Sequence, residues 1–199
     1  MAKNHWDQRF SEEEYVYGKE PNEFIKSKGS LLNKGKTLAL AEGEGRNAVY
    51  LATLEHDVTT WDFSKEGLKK TKQLAAEKGV TVETKYTDLS EAPWKREAWD
   101  NVIMVFGHFE TSLRQNVLKH IEQSVKKGGA FLCEVYSKEQ LAYKTGGPPN
   151  KDMLYSLDEF LNVFEDWDIK HFFIGEVERE EGHLHQGLSH VIQFYGIKR

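Results

Sequence analysis

The chain has a single cysteine, Cys133, only four prolines, and no apolar run near the length of a membrane span. One cysteine excludes an intrachain disulfide framework and a metal site built from cysteines alone. Without a run of ~20 apolar residues there is no transmembrane helix to expect. The opening MAKNHWDQRF lacks the apolar region of a signal peptide. A soluble cytoplasmic protein with no membrane partner is the expectation. Basic charge is also short: 27 Lys and Arg stand against 32 Asp and Glu, a net −5. That balance disfavours a general nucleic-acid binder. No repeat, low-complexity stretch or composition shift marks a boundary, so the 199 residues are expected to form one domain. The hydrophobic share of 39% suffices for a core and is too high for a disordered chain.

What is present is an alternation of strand and helix signals. Residues 20–33 read as a helix with Phe24, Ile25, Leu31 and Leu32 as apolar contacts. Lys36–Ala41 is a short apolar run that ends in a Gly-rich turn, and Gly45–Leu54 follows as a helix. Asp57–Phe63 reads as a second strand; Ser64 then caps a helix over Gly67–Lys78, which Gly79 ends. Val80–Tyr86 alternates as a third strand. Trp99–Phe106 contains the continuous run Val102-Ile103-Met104-Val105, the pattern of a strand covered on both faces. Ser112–Lys127 is predicted helical, Ala130–Tyr136 a fifth strand, and Ser156–Phe164 a helix opened by a Ser156/Glu159 capping box. Lys144–Pro149 reads as a loop. Ile169–Val177 and Leu188–Ile197 are two strands with no helix between them. The whole predicts an open, mostly parallel α/β sheet with an antiparallel edge.

The strongest local signal is Ala41-Glu42-Gly43-Glu44-Gly45-Arg46-Asn47-Ala48, a strand running through Gly-x-Gly-x-x-Ala into a helix. Glycines there allow a tight turn and close backbone approach in front of a helix N-terminus. Asp62 follows 19 residues after Gly43, at the end of the next strand, where a carboxylate can accept from both hydroxyls of a ribose. A nucleotide-type cofactor is expected. A dinucleotide must seat a pyrophosphate on the helix N-terminus. S-adenosylmethionine carries a sulfonium and an ammonium and no phosphate. Glu42 and Glu44 beside the glycines suit those cations and repel a pyrophosphate, although Arg46 offsets part of that charge.

With Val58-Thr59-Thr60-Trp61-Asp62-Phe63-Ser64 and Thr87-Asp88-Leu89, this loop resembles class I S-adenosylmethionine-dependent methyltransferases, in their tellurite-resistance and thiopurine-methyltransferase-like branch. The resemblance covers nearly the whole chain, including Trp6–Phe10, Tyr17–Asn22, His108 with Arg114, and Lys127-Gly128-Gly129. It implies a doubly wound, Rossmann-like seven-stranded sheet with an antiparallel C-terminal strand pair, and S-adenosyl-L-methionine as cofactor. It further implies that Glu42, Gly43 and Gly45 line the methionine end and that Asp62 holds the ribose. Phe63 would sit against the adenine, and Asp88 would bond its amine with Leu89 alongside. Phe106-Gly107-His108 would face the sulfonium. Tyr17 and Asn22 would belong to an N-terminal lid or helical segment spanning 1–35. The family usually carries Asp two residues before position 41 and Gly at 41 itself. Here Ala39 and Ala41 stand instead, so the acidic role moves to Glu42.

Methyl transfer from a sulfonium is a direct displacement that rests on alignment and desolvation. His108, where the fourth strand opens onto the site, is the base candidate. Arg114 could attract an anionic acceptor or cap a surface helix. Tyr136, Tyr143, Met153 and Tyr155 are candidates to line the acceptor site, because loops after the fifth strand face the same crevice. His183, His185 and His190 beside Glu181 offer metal-ligand types, but their spacing matches no finger and a solvated turn is the expectation there. The function expected is methyl transfer to a small-molecule acceptor: a thiol, a halide or a metalloid oxyanion. A non-catalytic S-adenosylmethionine-binding protein and a nicotinamide-dependent oxidoreductase are the alternatives. Nothing in the sequence sets an oligomeric state.

Overall fold

The computed structural model describes residues 2–182 and 184–199, with side chains from residue 5 onward. Lys36–Leu40 (β1) lies at its centre, every residue after the first buried. It pairs in parallel with Asp57–Asp62 (β2) on one side and Trp99–Val105 (β4) on the other. Glu83–Tyr86 (β3) extends the sheet beyond β2 and Val125–Tyr136 (β5) beyond β4, both again parallel. Asp168–Glu181 (β6) and His185–Ile197 (β7) form a long hairpin whose second strand pairs antiparallel with β5. The strand order is β3-β2-β1-β4-β5-β7-β6. The chain reverses its direction of build between β1 and β4, and a crevice therefore opens at the carboxyl ends of those strands.

Alternation along β1 assigns its side chains to two layers. Leu38 and Leu40 join Met104, Phe131, Phe160 and Phe194 beneath Thr111–Ser124 (α5) and Leu157–Val163 (α6). Ala39 joins Ile103 and Leu132 on the opposite face, with residues of Glu23–Lys28 (α2), Arg46–Thr53 (α3) and Lys65–Glu77 (α4). Each fully buried large aliphatic or aromatic side chain contributes about 1.5–3 kcal/mol of transfer free energy. Cys133 is fully buried in the first layer, and burial pushes its thiol pKa well up. No helix of the described residues is long and apolar enough to cross a membrane.

Several boundaries differ from the sequence expectation. The helix expected over 20–33 is confined to α2 and a 3-10 turn at Gly29–Leu31, because Asn22, directly after Pro21, caps α2 and Leu32 turns extended. The helix α5 stops at Ser124 rather than Lys127, since Val125 already pairs with Trp99 and Gly128-Gly129 bond to Lys198 at the end of the sheet. The strands β6 and β7 continue well past 177 and start before 188; the added residues carry Arg179, Glu181 and His185, all buried. Ala2–Phe10 (α1) is a helix that apolar periodicity did not announce.

Arg114 is a structural clamp. Its side chain is 2% exposed. Nε donates to Glu159 at 2.7 Å, Nη1 to the Phe109 carbonyl at 2.9 Å and to the Asp152 carbonyl, and Nη2 to Thr111 Oγ1 at 3.2 Å. The guanidinium also lies over the Tyr155 ring at 5.1 Å. Glu159 meanwhile accepts from the Ser156 amide at the start of α6. These contacts tie α5, the 150–153 turn and α6 together. Arg114→Met should cost about 3 kcal/mol in urea unfolding, because it strands the partly buried Glu159 carboxylate and two carbonyls. A variant of parental stability would return Arg114 to the acceptor-binding role.

Candidate active site

The Gly-rich turn sits at the carboxyl end of β1. Ala41, Gly43 and Gly45 take positive φ of 49°, 60° and 89°. A Cβ at Gly45 would stand 2.5 Å from Thr71 of α4, so only glycine lets the turn pass that helix. Glu42 turns inward and caps α3: one carboxylate oxygen accepts from the Asn47 and Ala48 amides at 2.7 and 2.8 Å. Ala39 is fully enclosed in the α3-side layer. The acidic group at this end of the strand is therefore Glu42.

Asp62 closes the turn from β2. Its oxygens accept from the Gly43 amide at 2.8 Å and the Ser64 amide at 2.7 Å. Both carboxylates are buried, and burial pushes Glu42 up to about 7 and Asp62 up to about 6. Phe63 is half-buried beside Asp62. The Thr87 amide donates to the Asp62 carbonyl, which brings the 87–89 segment alongside. There Asp88 accepts from the Ser90 amide and hydroxyl, and Leu89 is buried.

On the far side of the crevice, Phe106 leaves β4 with φ of 53°, and its amide donates to the Glu134 carbonyl. The His108 ring is held at both nitrogens. Nδ1 lies 3.0 Å from the Met153 carbonyl, so it carries the proton; Nε2 accepts from the Tyr136 amide at 3.4 Å. Burial, against the pull of that carbonyl, holds its pKa down to about 4, and Arg114 adds to the depression.

The N-terminal segment lies across this end of the sheet. Phe10 is buried against the turn: a Cβ at Gly43 would stand 2.9 Å from its ring. Asp7 accepts from the Ser64 hydroxyl at 2.6 Å and the Glu66 amide at 3.3 Å. The Tyr17 amide reaches Glu44, its carbonyl accepts from Arg46 at 3.2 Å, and its hydroxyl accepts from Arg9 at 2.9 Å. Asn22, fully buried, caps α2 and donates to Glu134 at 2.6 Å and Glu181 at 3.0 Å. Glu134 pairs with Arg179, and Glu181 pairs with Arg179 at 2.9 Å and Arg46 at 2.6 Å.

Sequence reading missed the partners in this network. Glu134 carried a signal, a lone carboxylate inside the apolar run Phe131–Tyr136. Arg179 and Glu181 carried none, because every neighbour in Glu176–Glu181 but Val177 is charged. Of the histidines weighed as metal ligands, His183 lies outside the described residues. His190 bonds Ser137 at 2.7 Å, while His185 packs against Phe106 and Tyr136. Among the described residues no three His, Cys, Asp or Glu side chains are grouped to hold a metal ion.

Comparison with known proteins agrees with this geometry. A family model described as a methyltransferase domain matches residues 38–129. A curated relative from Haemophilus influenzae, named "Probable S-adenosyl-L-methionine-dependent methyltransferase TehB", is 22% identical over 161 residues, 78% of this chain and 52% of its own. The chain spans about half the length of the curated relatives it matches. The crystal structure of TehB from Haemophilus influenzae has a TM-score of 0.72 at 16% identity, covering 99% of this chain and 67% of that one. A structure from work on the conversion of a disulfide bond into a thioacetal group during echinomycin biosynthesis reaches 0.75 at 18% identity, over 100% and 92% of the two chains. Magnesium protoporphyrin IX methyltransferase from Synechocystis, with bound SAH, gives 0.69 at 13% identity over 100% and 94%. The chain thus carries a match to a methyltransferase domain over residues 38–129, and in sheet order and acidic Gly-rich turn it is similar to S-adenosylmethionine-dependent methyltransferases, TehB among them.

Proposed function

We propose that the chain transfers the methyl group of S-adenosylmethionine to a small-molecule acceptor, of the thiol, halide or metalloid-oxyanion class. The observation that carries this reading is the pair of buried carboxylates, Glu42 and Asp62, set around a positive-φ glycine turn at the strand-order reversal. The residues fit the cofactor. Glu42 has a second carboxylate oxygen that takes neither of its two amide bonds, and each Asp62 oxygen keeps a lone pair beyond its Gly43 or Ser64 amide bond for a ligand hydroxyl or ammonium. When bound, the cofactor supplies an electrophilic methyl on a cationic sulfur. Glu42 then offsets positive charge near Gly43 and Gly45, Asp62 holds the ribose, and Phe63, Asp88 and Leu89 take the adenine. Phe106 presents a ring face on the acceptor side. His108 holds its proton on Met153 and acts by fixing the Tyr136 backbone, with little capacity to take a proton from an acceptor at neutral pH.

Titration calorimetry with S-adenosylmethionine and NAD, side by side, tests the reading. S-adenosylmethionine should bind and NAD should not; the reverse overturns it. Asp62→Asn should weaken S-adenosylmethionine by about tenfold or more through loss of a charge-assisted hydrogen bond. The pH dependence has two opposite signs. Protonating Glu42 removes the charge that meets the cation, so affinity should fall about tenfold from about pH 8 to about pH 6. The bare chain behaves the other way. Between pH 4.5 and about 7 the folded chain keeps a Glu42 proton that the unfolded chain has released, so its stability should fall as pH rises through that window.

The segment 1–35 acts in this reading as a lid that closes over the bound cofactor. Glu42, Glu44 and Asp62 are buried beneath Asp7, Phe10 and Tyr17, so a ligand that reaches them must part those contacts. Re-ordering a segment costs about 1–2 kcal/mol of backbone entropy per residue, which ligand contacts must offset. Hydrogen exchange in residues 5–22 should slow when S-adenosylmethionine is added. Equal protection with and without it would mean a segment that is permanently packed.

A further inference from the structure

The end of the β6–β7 hairpin meets the N-terminal segment backbone against backbone. Gly182 follows β6 with φ of 60°. A Cβ there would stand 2.4 Å from the Val16 carbonyl oxygen and 2.6 Å from the Tyr17 Cα, far inside van der Waals contact. Asn and Asp tolerate such a φ, so the backbone conformation alone does not demand glycine. The space does: Val16 and Tyr17 lie where any side chain would begin. Gly18 meets the same turn from the other side, with φ of 75° and a Cβ position 3.7 Å from the Gly182 amide nitrogen. Two glycines thus let segments far apart in sequence lie together.

Buried charges converge on the residue that Gly182 touches. Arg46 Nη1 donates to the Tyr17 carbonyl at 3.2 Å, and its Nη2 pairs with Glu181, the residue before Gly182, at 2.6 Å. The Tyr17 amide donates to Glu44 at 3.4 Å, and Glu44 pairs with Lys70 of α4 at 2.8 Å. Lys70 also donates to the Glu14 carbonyl at 2.6 Å. Glu44 and Arg46 flank Gly45, so both polar groups of the Tyr17 backbone rest on the glycine turn. The Tyr17 ring then packs 4.7 Å from His185 on β7. Glu181 also accepts from Asn22 at 3.0 Å, which fixes the far end of the same stretch. Glu181 and Gly182 bear on Tyr17 from outside the glycine turn, so they can be altered without changing a residue of that turn.

We infer that Glu181 and Gly182 are positioning residues for the cofactor site: they seat Tyr17 on the glycine turn and thereby set how long a bound nucleoside stays. The inference rests on the S-adenosylmethionine reading above and on its lid. A ligand under a closed segment leaves only when the segment parts, so contacts that hold the segment down act on the rate of release. The same parting admits the ligand, so loosening those contacts does not slow entry. Neither residue needs to touch the ligand for this. Gly182 acts by shape, through a missing side chain. Glu181 acts by charge, through Arg46, whose guanidinium it shares with the Tyr17 carbonyl.

Stopped-flow mixing of the full chain with S-adenosylhomocysteine, followed by tryptophan fluorescence, gives both rates; Trp6 in α1 lies in the segment itself. Gly182→Ala should release the nucleoside about tenfold faster than the parent and associate no more slowly. Gly128→Ala controls for backbone strain. Its φ is 77° and no described atom lies within 4 Å of its Cβ position, so release should stay within about twofold of the parent's. Tyr17→Ala should also speed release about tenfold, and with Gly182→Ala the combined effect should not exceed the larger single one, because both act through one contact. Should Gly182→Ala fail to fold, Glu181→Gln is the second variant, and it too should speed release. In the bound state of Gly182→Ala, amides 16–20 should exchange faster than in the parent. Residues 5–10, docked on α4 through Asp7 and Phe10, should keep their protection. Release unchanged in both Gly182→Ala and Glu181→Gln, slower release in either, or single effects that multiply in the double variant overturn the inference and leave the methyl-transfer reading standing. A parent that does not bind S-adenosylhomocysteine overturns both, and the first mixing reveals it.

Discussion

Four buried charges at the carboxyl end of the sheet decide where everything near the crevice sits. Glu134 ends up there on β5, Arg179 and Glu181 on β6, and Arg46 at the first turn of α3. Each is a poor choice for stability alone, since burying an ion costs several kcal/mol before any attraction is counted. Each has a partner on a different element, so none can shift without stranding another. Removing one partner of such a pair typically costs about 3–5 kcal/mol. Asn22 and the Tyr17 carbonyl are drawn into the same network, and that fixes the path of the N-terminal segment across the glycine turn.

The turn itself shows two demands in conflict. Glu42 caps α3 and, in the proposed reading, also faces a cation, where water is scarce. A carboxylate in that position is uneasy when ionised and alone, which is why its pKa is raised. Asp62 shares the situation on the next strand. Groups so placed weaken the empty fold at neutral pH and strengthen the occupied one, a pattern frequent where ligands bind.

How much of this could be read beforehand depends on the range of the interactions. The parallel strands declared themselves through runs such as Val102–Val105, and the helices through caps such as Ser64 and Ser156. The glycine turn after β1 and the place of Asp62 at the end of β2 were legible because both follow from signals local in sequence. The contacts of Arg114 were not legible because its partners, Glu159 and the 152 carbonyl, lie about forty residues downstream, a distance no spacing rule reaches. The helix α1 has a weak apolar stripe; its place comes from Phe10 and Asp7 docking on α4 and the turn. The length of the β6–β7 hairpin was hidden for the opposite reason. Charged residues there face inward, and an alternation rule that sends charge to solvent ends the strands early.

Cys133, deep in the α5–α6 layer, has a chemical consequence of its own. A thiol reacts as its thiolate, and burial beside Glu134 keeps this one protonated and out of reach. The folded chain therefore offers no sulfur of its own for exchange with a dissolved disulfide, and none for an alkylating agent to consume. In a solution rich in small thiols or their oxidised forms, it neither forms mixed disulfides nor cross-links with a second copy through sulfur while it stays folded.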